Sequence, residues 1–315
     1  MSERMHRSQP RVSIIIPTHN RPHLLPRAVE SAQRSGVRVE VIVVDDESVD
    51  ETAEVCSQLA GIRYIRVERR RGVAGARNAG ILASQGEYIS FLDDDDLRLP
   101  GSIDAQLALL EAHPEAGLVY GQMLRGDQTR AHDAPAQPAR CPQGDVFWKL
   151  LEHNFIPCGA ALFRKSCLLR VGLLEESMAG VDDWDLWLRI AELYEVLALE
   201  EPVLLWRQSD AESGQLSSHL PHMLMLSAHL LRTRGLRLPR AAAATAERRE
   251  ALWQRYRTGV THYLLWDAGR ALRKRGFRVA GRNISTALRF NPAGVARSIF
   301  HPAAREFYAG ALSHR

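Results

Sequence analysis

Residues 87–100, EYISFLDDDDLRLP, carry a short apolar run that ends in four consecutive aspartates, Asp93 to Asp96. The run reads as a buried strand. Crowded carboxylates repel and raise one another's pKa, so the cluster calls for a counter-charge or full solvation. Hard divalent cations take oxygen ligands, and Mg2+ is commonly held by one or two carboxylates together with substrate phosphates. A D-x-D at a strand end places two carboxylates near one point on an anchored backbone. The plainer alternative is a solvated acidic turn leading into the helix of GSIDAQLALLEAH (101–113), whose dipole favours nearby anions.

Outward from this stretch, strand and helix signals alternate. RVSIII (11–16), VEVIVV (39–44), IRYIRV (62–67) and EYISFL (87–92) are β-branched or aromatic apolar runs too short for buried helices. Helical patterns separate them, at 21–36 closed by Gly36, from a Ser48–Glu51 capping box to about Leu59, and at 72–86. Strands joined by helices of this length imply right-handed crossovers and a largely parallel α/β sheet. Ligands bind beyond the carboxyl ends of such strands. Those ends read PTHNR (17–21), DDES (45–48) and DDDD (93–96), so three polar clusters gather on one edge.

The segment 125–145, rich in Pro, Ala, Gly and charge, reads as an irregular connection. A helix at about 145–152, a strand near 159–164 and an amphipathic helix at 182–194 follow, then one or two short strands in EVLALEEPVLLWRQ (195–208). From about 221 the pattern is helical and arginine-rich. The expected organisation is a flexible start (1–10), one α/β domain (11–215, with halves 11–122 and 145–215) and a basic helical region (216–315).

The 315 residues are 45% hydrophobic and 25% charged, ordinary for a globular protein. The opening MSERMHRSQP has no apolar segment of secretory type, and no apolar run approaches the roughly 20 residues that cross a bilayer. Cys56, Cys141, Cys158 and Cys167 lack zinc spacing and read as reduced thiols, which gives a cytoplasmic expectation. The net charge of +4 hides an asymmetry: residues 232–315 hold 18 Lys and Arg against 4 Asp and Glu, and the remainder 23 against 33. The two parts are expected to meet different partners.

VSIIIPTHNR, VIVVDDES, GVAGARNAGI, GEYISFLDDDDLRLP and DDWDLWLRI occur in the order and spacing of the family 2 glycosyltransferases, and the chain resembles that family over roughly residues 10–210. The resemblance implies a GT-A fold, a Rossmann-like central sheet flanked by helices, with a nucleotide-diphospho-sugar donor across the amino-terminal half-sheet. By it Pro17, Thr18, Asn20 and Arg21 form the first nucleotide-contacting loop, and Asp45 and Asp46 reach the base and ribose. Arg77 and Asn78 line the nucleotide pocket. Asp93 and Asp95 form the D-x-D holding Mn2+ or Mg2+, Asp95 being the better ligand, with Asp94 near the ribose. Each has a plainer rival: Asn20 and Ser48 as turn residues, Arg77 as a solvated helix charge, Pro17 as a strand terminator.

A sugar hydroxyl is a poor nucleophile and needs a positioned base. Family members carry an acidic pair whose second member is that base, so in GVDDWDLWLRI (180–190) Asp183 inherits the role with Asp182 beside it. Capping of the following helix is the rival reading. Trp184 is a candidate acceptor platform or a core residue, and Trp187 reads as core. The implied function is inverting transfer of a sugar to an acceptor hydroxyl in bacterial cell-surface glycan synthesis. A haloacid-dehalogenase-like phosphatase also places D-x-D after a strand, but near its first strand and followed by x-[T/V]. A sugar nucleotidyltransferase would need a glycine-rich amino-terminal loop, which is missing here. A non-catalytic sugar-nucleotide-binding module is the remaining alternative.

In the tail, Leu252, Tyr256, Tyr263 and Trp266 recur at helical spacing and are expected in a core, with the arginines on the other face. That face is either simply solvated or drawn to an anionic membrane or lipid-linked acceptor at the inner face of the membrane. No nucleic-acid recognition motif accompanies the charge.

Overall fold

The computed structural model describes residues 9–127, 131–207 and 220–300. Most of the expected flexible start, and residues 128–130 of the irregular connection, lie outside the described residues. The chain divides into two compact units, Met1–Leu150 with Asn154–Gly214 and Leu151–His153 with Gln215–Arg315.

In the first unit, strands β1 (Val12–Thr18), β2 (Val39–Asp45), β3 (Ile62–Arg66) and β4 (Tyr88–Phe91) lie parallel in the order β3-β2-β1-β4. Helices α1 (Leu25–Arg34), α2 (Thr52–Gln58) and α3 (Gly72–Ala83) connect them. Every residue of β1 is buried. A parallel strand covered on both faces reads as a continuous apolar run rather than an alternating one. α1 buries Leu25, Ala28, Val29 and Ala32, spaced i, i+3, i+4, i+7, in one core with Val12, Ile14 and Ile16 of β1. Ile15 faces the other way, towards α3. There a Cβ on Gly80 would stand 2.4 Å from Ile15 Cγ2, so only glycine lets this helix settle on the strand.

The capping box expected at Ser48–Glu51 does not form. α2 begins at Thr52, whose amide donates to Asp50 Oδ1 at 3.1 Å, while the Ser48 amide donates to Asp45 Oδ1 at 2.7 Å. A buried strand-end carboxylate captures the loop before the helix can use the serine.

Four more strands, β5 (Leu97–Arg98), β6 (Ala116–Gly126), β7 (Ala161–Arg164) and β8 (Glu195–Arg207), extend the sheet to β3-β2-β1-β4-β7-β6-β8-β5. The sheet is mixed: β7 runs antiparallel to β4 and β6, β5 antiparallel to β8, and β6 parallel to β8. The largely parallel sheet expected thus describes its first half. β6 was not foreseen, and EVLALEEPVLLWR (195–207) forms one long strand whose pairing with β6 shifts register near Gly121–Met123. Helices α4 (Ser102–Ala112), α5 (Phe147–Glu152), α6 (Leu168–Val171) and α7 (Asp182–Leu193) complete the flanking layers. This is an α/β, GT-A-like sheet.

The second unit is helical: α8 (Leu220–Thr233), α9 (Pro239–Ala242), α10 (Ala246–Arg273), α11 (Phe277–Phe290) and α12 (Pro292–Phe300). Thr245 caps α10 by accepting from the Arg248 amide at 3.2 Å. Val260, Leu264 and Leu265 of α10 share a core with Ala287 and Val295. Among the described residues no helix is long and apolar enough to cross a membrane.

Gly80→Ala gains helix propensity, yet its methyl meets Ile15. We expect the clash to win, with a net loss of about 1–3 kcal/mol typical of overpacking, read as a lower urea midpoint. An unchanged or higher midpoint would show that α3 stands off β1.

Candidate active site

The carboxyl ends of β1, β2 and β4 converge. β4 pairs with β1 only as far as Ile15, so Pro17, which has no amide to donate, lies beyond the last rung on that side. Asn20 takes a positive φ of 53°. Its amide donates to Ser48 Oγ at 2.9 Å, and its Oδ1 accepts from the Val49 amide at 2.9 Å. Asn20 therefore ties the first loop to the second, which is the turn role weighed for it.

The four aspartates form the turn between β4 and β5. The Asp96 amide donates to Asp93 O at 3.0 Å, and β5 pins the far end by pairing with Leu204 and Leu205 of β8. Asp94, Asp95 and Asp96 are each 3–4% exposed, so solvation is not their answer. Counter-charge is. Arg21 Nη1 lies 3.1 Å from Asp94 and 3.4 Å from Asp95, and Arg207 Nη2 lies 2.9 Å from Asp95. Thr18 Oγ1 donates to Asp94 at 2.8 Å, and the Arg207 amide to Asp96 at 2.9 Å. Burial pushes the Asp94 carboxyl up to about 7, against the pull of Arg21 and with the charge of Asp95 adding to the rise. Burial, then the charges of Asp93 and Asp95, raises Asp96 well above the carboxylate range.

Asp93 is the open member, its side chain 44% exposed, and its partner is Arg77 Nη2 at 2.7 Å. The other arm of Arg77, Nη1, meets Asp182 Oδ2 at 2.8 Å. Arg77 is buried, its guanidinium carbon 5.2 Å from the Phe91 ring centre. Its burial rules out the solvated helix charge. It is a cation held between the D-x-D turn and the acidic pair.

That pair opens α7, where a helix N-terminus favours anions. Asp182 is 1% exposed and also accepts from the Gly180 amide at 2.9 Å. Asp183 is half-buried. The Trp184 amide donates to its Oδ1 at 2.6 Å, and Asn154 Nδ2 lies 3.4 Å from its Oδ2. Burial first, and the Asp182 charge second, push the Asp183 carboxyl up to about 7, with Arg77 opposing. A carboxylate with that pKa is a competent base at neutral pH.

The structure gives the remaining candidates protein partners. Asp45 is fully buried and uses both oxygens on the protein, accepting from the Ser48 amide at 2.7 Å and Tyr64 OH at 2.6 Å. Asp46 accepts from the Arg71 and Gly72 amides at 2.7 and 2.8 Å. These carboxylates hold the loops that frame the site. Asn78 pairs both ways with the Leu174 backbone, each bond 3.0 Å, so it clamps α3 to the loop before α7 rather than lining a pocket. Trp184 is 3% exposed and donates Nε1 to Leu150 O at 2.8 Å, so it packs inside and offers no open face to an acceptor. Trp187 is core as expected, against Phe91 and Phe163.

Sequence reasoning missed Arg207 and Asn154. A lone arginine closing an apolar strand was the one signal for Arg207. Asn154 gave none, because its neighbourhood depends on α5 and α7 meeting. As for a metal, no three His, Cys, Asp or Glu side chains among the described residues form a group able to hold one. In this structure arginines balance the D-x-D carboxylates, Arg77 at Asp93 and Arg21 with Arg207 at Asp95.

The profile of Glycosyl transferase family 2 matches residues 13–170, and the chain belongs to that family. Membership sets aside the phosphatase alternative. An uncharacterised glycosyltransferase of Haemophilus influenzae is 28% identical over 58% of this chain and 62% of its own length. A Campylobacter jejuni protein named GalNAc(5)-diNAcBac-PP-undecaprenol beta-1,3-glucosyltransferase is 38% identical over 36% of this chain and 38% of its own. Among solved structures, the mannosyltransferase PcManGT of Pyrobaculum calidifontis, in complex with GDP-Man and Mn2+, superposes with a TM-score of 0.57 at 17% identity, covering 96% of this chain and 84% of that one. At that identity the likeness concerns the fold. The chain spans about three fifths of the length of the Haemophilus relative.

Asn78→Ala removes both bonds to Leu174. Buried amides left unpaired cost about 1–3 kcal/mol each, so hydrogen exchange at the Leu174 amide should speed up at least tenfold. Exchange at the wild-type rate would show that the loop is held by other contacts.

Proposed function

We propose that this chain is an inverting glycosyltransferase that moves a sugar from a nucleotide-diphospho-sugar to an acceptor hydroxyl. The observation that carries this reading is the Arg77 bridge, which places the strand-end D-x-D and the Asp182–Asp183 pair in one cluster on the ligand-binding edge of the sheet. The donor nucleotide lies against the loops of Pro17, Thr18, Asn20 and Arg21, whose shape Asp45 and Asp46 maintain. Asp94 stands towards the ribose.

In the reaction Asp183 takes the proton of the acceptor hydroxyl. That oxygen attacks the anomeric carbon, and the bond to the diphosphate oxygen breaks on the opposite face. Asn154 and the Trp184 amide orient the base, and Arg77 pairs with Asp182 behind it. Arg21 and Arg207 supply positive charge beside the departing diphosphate, and such pre-positioned charge stabilises a transition state. Mn2+ or Mg2+, where Asp95 and Asp93 would hold it, supplies further electrostatic stabilisation of that leaving group when bound.

The acceptor is a glycan or a lipid-linked glycan of a bacterial surface polymer. Support comes from the Campylobacter relative, whose name specifies an undecaprenol-linked acceptor. We place the chain in the cytoplasm, in peripheral contact with an anionic membrane through its basic helical region.

The test is a panel of nucleotide sugars with Mn2+ or Mg2+, scored by release of nucleoside diphosphate and by the anomeric configuration of the product. Transfer with inversion is expected. Binding without turnover would make the chain a non-catalytic module, and a retained configuration would reject the geometry. Asp183→Asn should keep donor affinity and lose ~10²–10⁴ in rate, the usual worth of a general base. Near-normal turnover would move the base to Asp182.

A base must be unprotonated to act, and the Asp183 carboxyl is pushed up to about 7. The rate should therefore climb as pH rises to about 7 and fall roughly tenfold per unit below it. A limb at the ordinary carboxylate value near 4 would contradict the shifted base.

A further inference from the structure

The aromatic residues of α10 do not all enter the core as their spacing suggested. Leu252 and Tyr256 do pack inward, and Val260, Leu264, Leu265 and Ala268 are buried. Tyr263 and Trp266 point outward, 47% and 41% exposed. Their rings lie 5.6 Å apart, and the Arg270 guanidinium stands 5.1 Å from the Trp266 ring centre. Positions 263, 266, 270 and 273 fall on one helical face, since residues three and four apart are neighbours there. Beyond the turn, Phe277 opens α11 at 69% exposure, with Val279 at 40%.

The charge of this segment is almost all of one sign. Residues 251–300 contain ten Lys and Arg and one acidic residue, Asp267. Asp267 is buried and already bonded to Arg270 at 2.7 Å and to Asn283 Nδ2 at 2.8 Å. No carboxylate of this segment is left to screen the arginines. Isolated exposed apolar residues are common and need no explanation. An exposed Tyr–Trp ring pair with an arginine over the indole is a different feature. Tyr and Trp favour the membrane–water interface, where one end of the ring is apolar and the other wet, and Lys and Arg beside them are drawn to anionic headgroups.

We propose that Tyr263, Trp266 and Phe277 form an insertion surface that enters the interfacial layer of an anionic bilayer, with the neighbouring arginines and Lys274 drawing it there. This rests on the membrane contact proposed above and adds its mechanism: the contact is partly apolar, and therefore only partly screened by salt. Self-association through the same rings is the competing outcome.

The test uses the full chain with phosphatidylcholine vesicles, with or without phosphatidylglycerol, at low and high salt. Some vesicles carry bromine on the acyl chains as a contact quencher of tryptophan fluorescence. Preference for the anionic vesicles is expected, with a salt-resistant fraction and quenching by the brominated lipid. The variant Tyr263→Ser, Trp266→Ser, Phe277→Ser should lose the quenching and bind anionic vesicles at least about tenfold more weakly, since buried aromatic area carries that share of the attraction. Its thermal midpoint and donor affinity should match the wild type, because all three side chains are exposed. Binding that is abolished by salt and never quenched would overturn insertion while leaving an electrostatic contact. Binding to neither vesicle would overturn both. A wild-type dimer that the triple variant dissolves would assign the surface to a second copy of the chain instead.

Discussion

Arg77 holds together what the sequence keeps 89 residues apart. One arm of its guanidinium meets Asp93 in the turn after β4, and the other meets Asp182 at the start of α7. Without a buried cation there, the aspartates of the two clusters would face each other across a poorly solvated gap. Removing one partner of a buried ion pair is expensive, because the charge left behind has neither water nor a counter-ion. The planar fork of arginine matters as well: a lysine ammonium could neutralise one carboxylate but could not reach both with fixed geometry.

The surrounding architecture serves this bridge. Gly80 lets α3 lie close to β1, which brings Arg77 to the edge where the strands end. Asn78, next in sequence, clamps the loop that leads to α7 and so fixes where Asp182 arrives. From the other side of the sheet, β8 delivers Arg207 to Asp95 and Asp96, and Arg21 comes from the loop after β1. Arg98, fully buried beside the turn, donates to Gln106 Oε1 and Ala161 O and ties β5 to α4 and β7. Burial lowers its pKa to about 9, so even here the protein tolerates a desolvated cation to keep the acidic turn in place.

Much of this was readable in the sequence where burial imposes a pattern. β1, β2 and β4 showed as apolar runs because they are buried, while the edge strand β3 alternates with arginines. The polar ends of the buried strands announced the site edge. The four aspartates were recognisable as candidates from their place at a strand end, and the acidic pair at 182–183 from the resemblance to the family 2 glycosyltransferases. Partners were not readable. Whether Asp45 faces a ligand or a loop amide depends on Ser48 and Tyr64, which only the folded turn brings to it. The bridge made by Arg77 was hidden too, because nothing local reveals a carboxylate 105 positions away. β6 hid in AGLVYGQMLRG, whose glycines dilute the strand signal. In the helical region the spacing of Tyr263 and Trp266 suited a core, but Leu264, Leu265 and Ala268 won the inward face.

The claim that one buried cation joins the two acidic centres is tested most directly by a double-mutant cycle on stability, using Arg77→Met, Asp182→Asn and the pair together. If the bridge exists, each single change leaves a buried group stranded. The double change should then cost less than the sum of the singles by about 0.5–3 kcal/mol, the coupling seen for residues in direct contact. Additivity within about 0.5 kcal/mol would mean that Arg77 and Asp182 act independently, and the account of a single bridged site would fail.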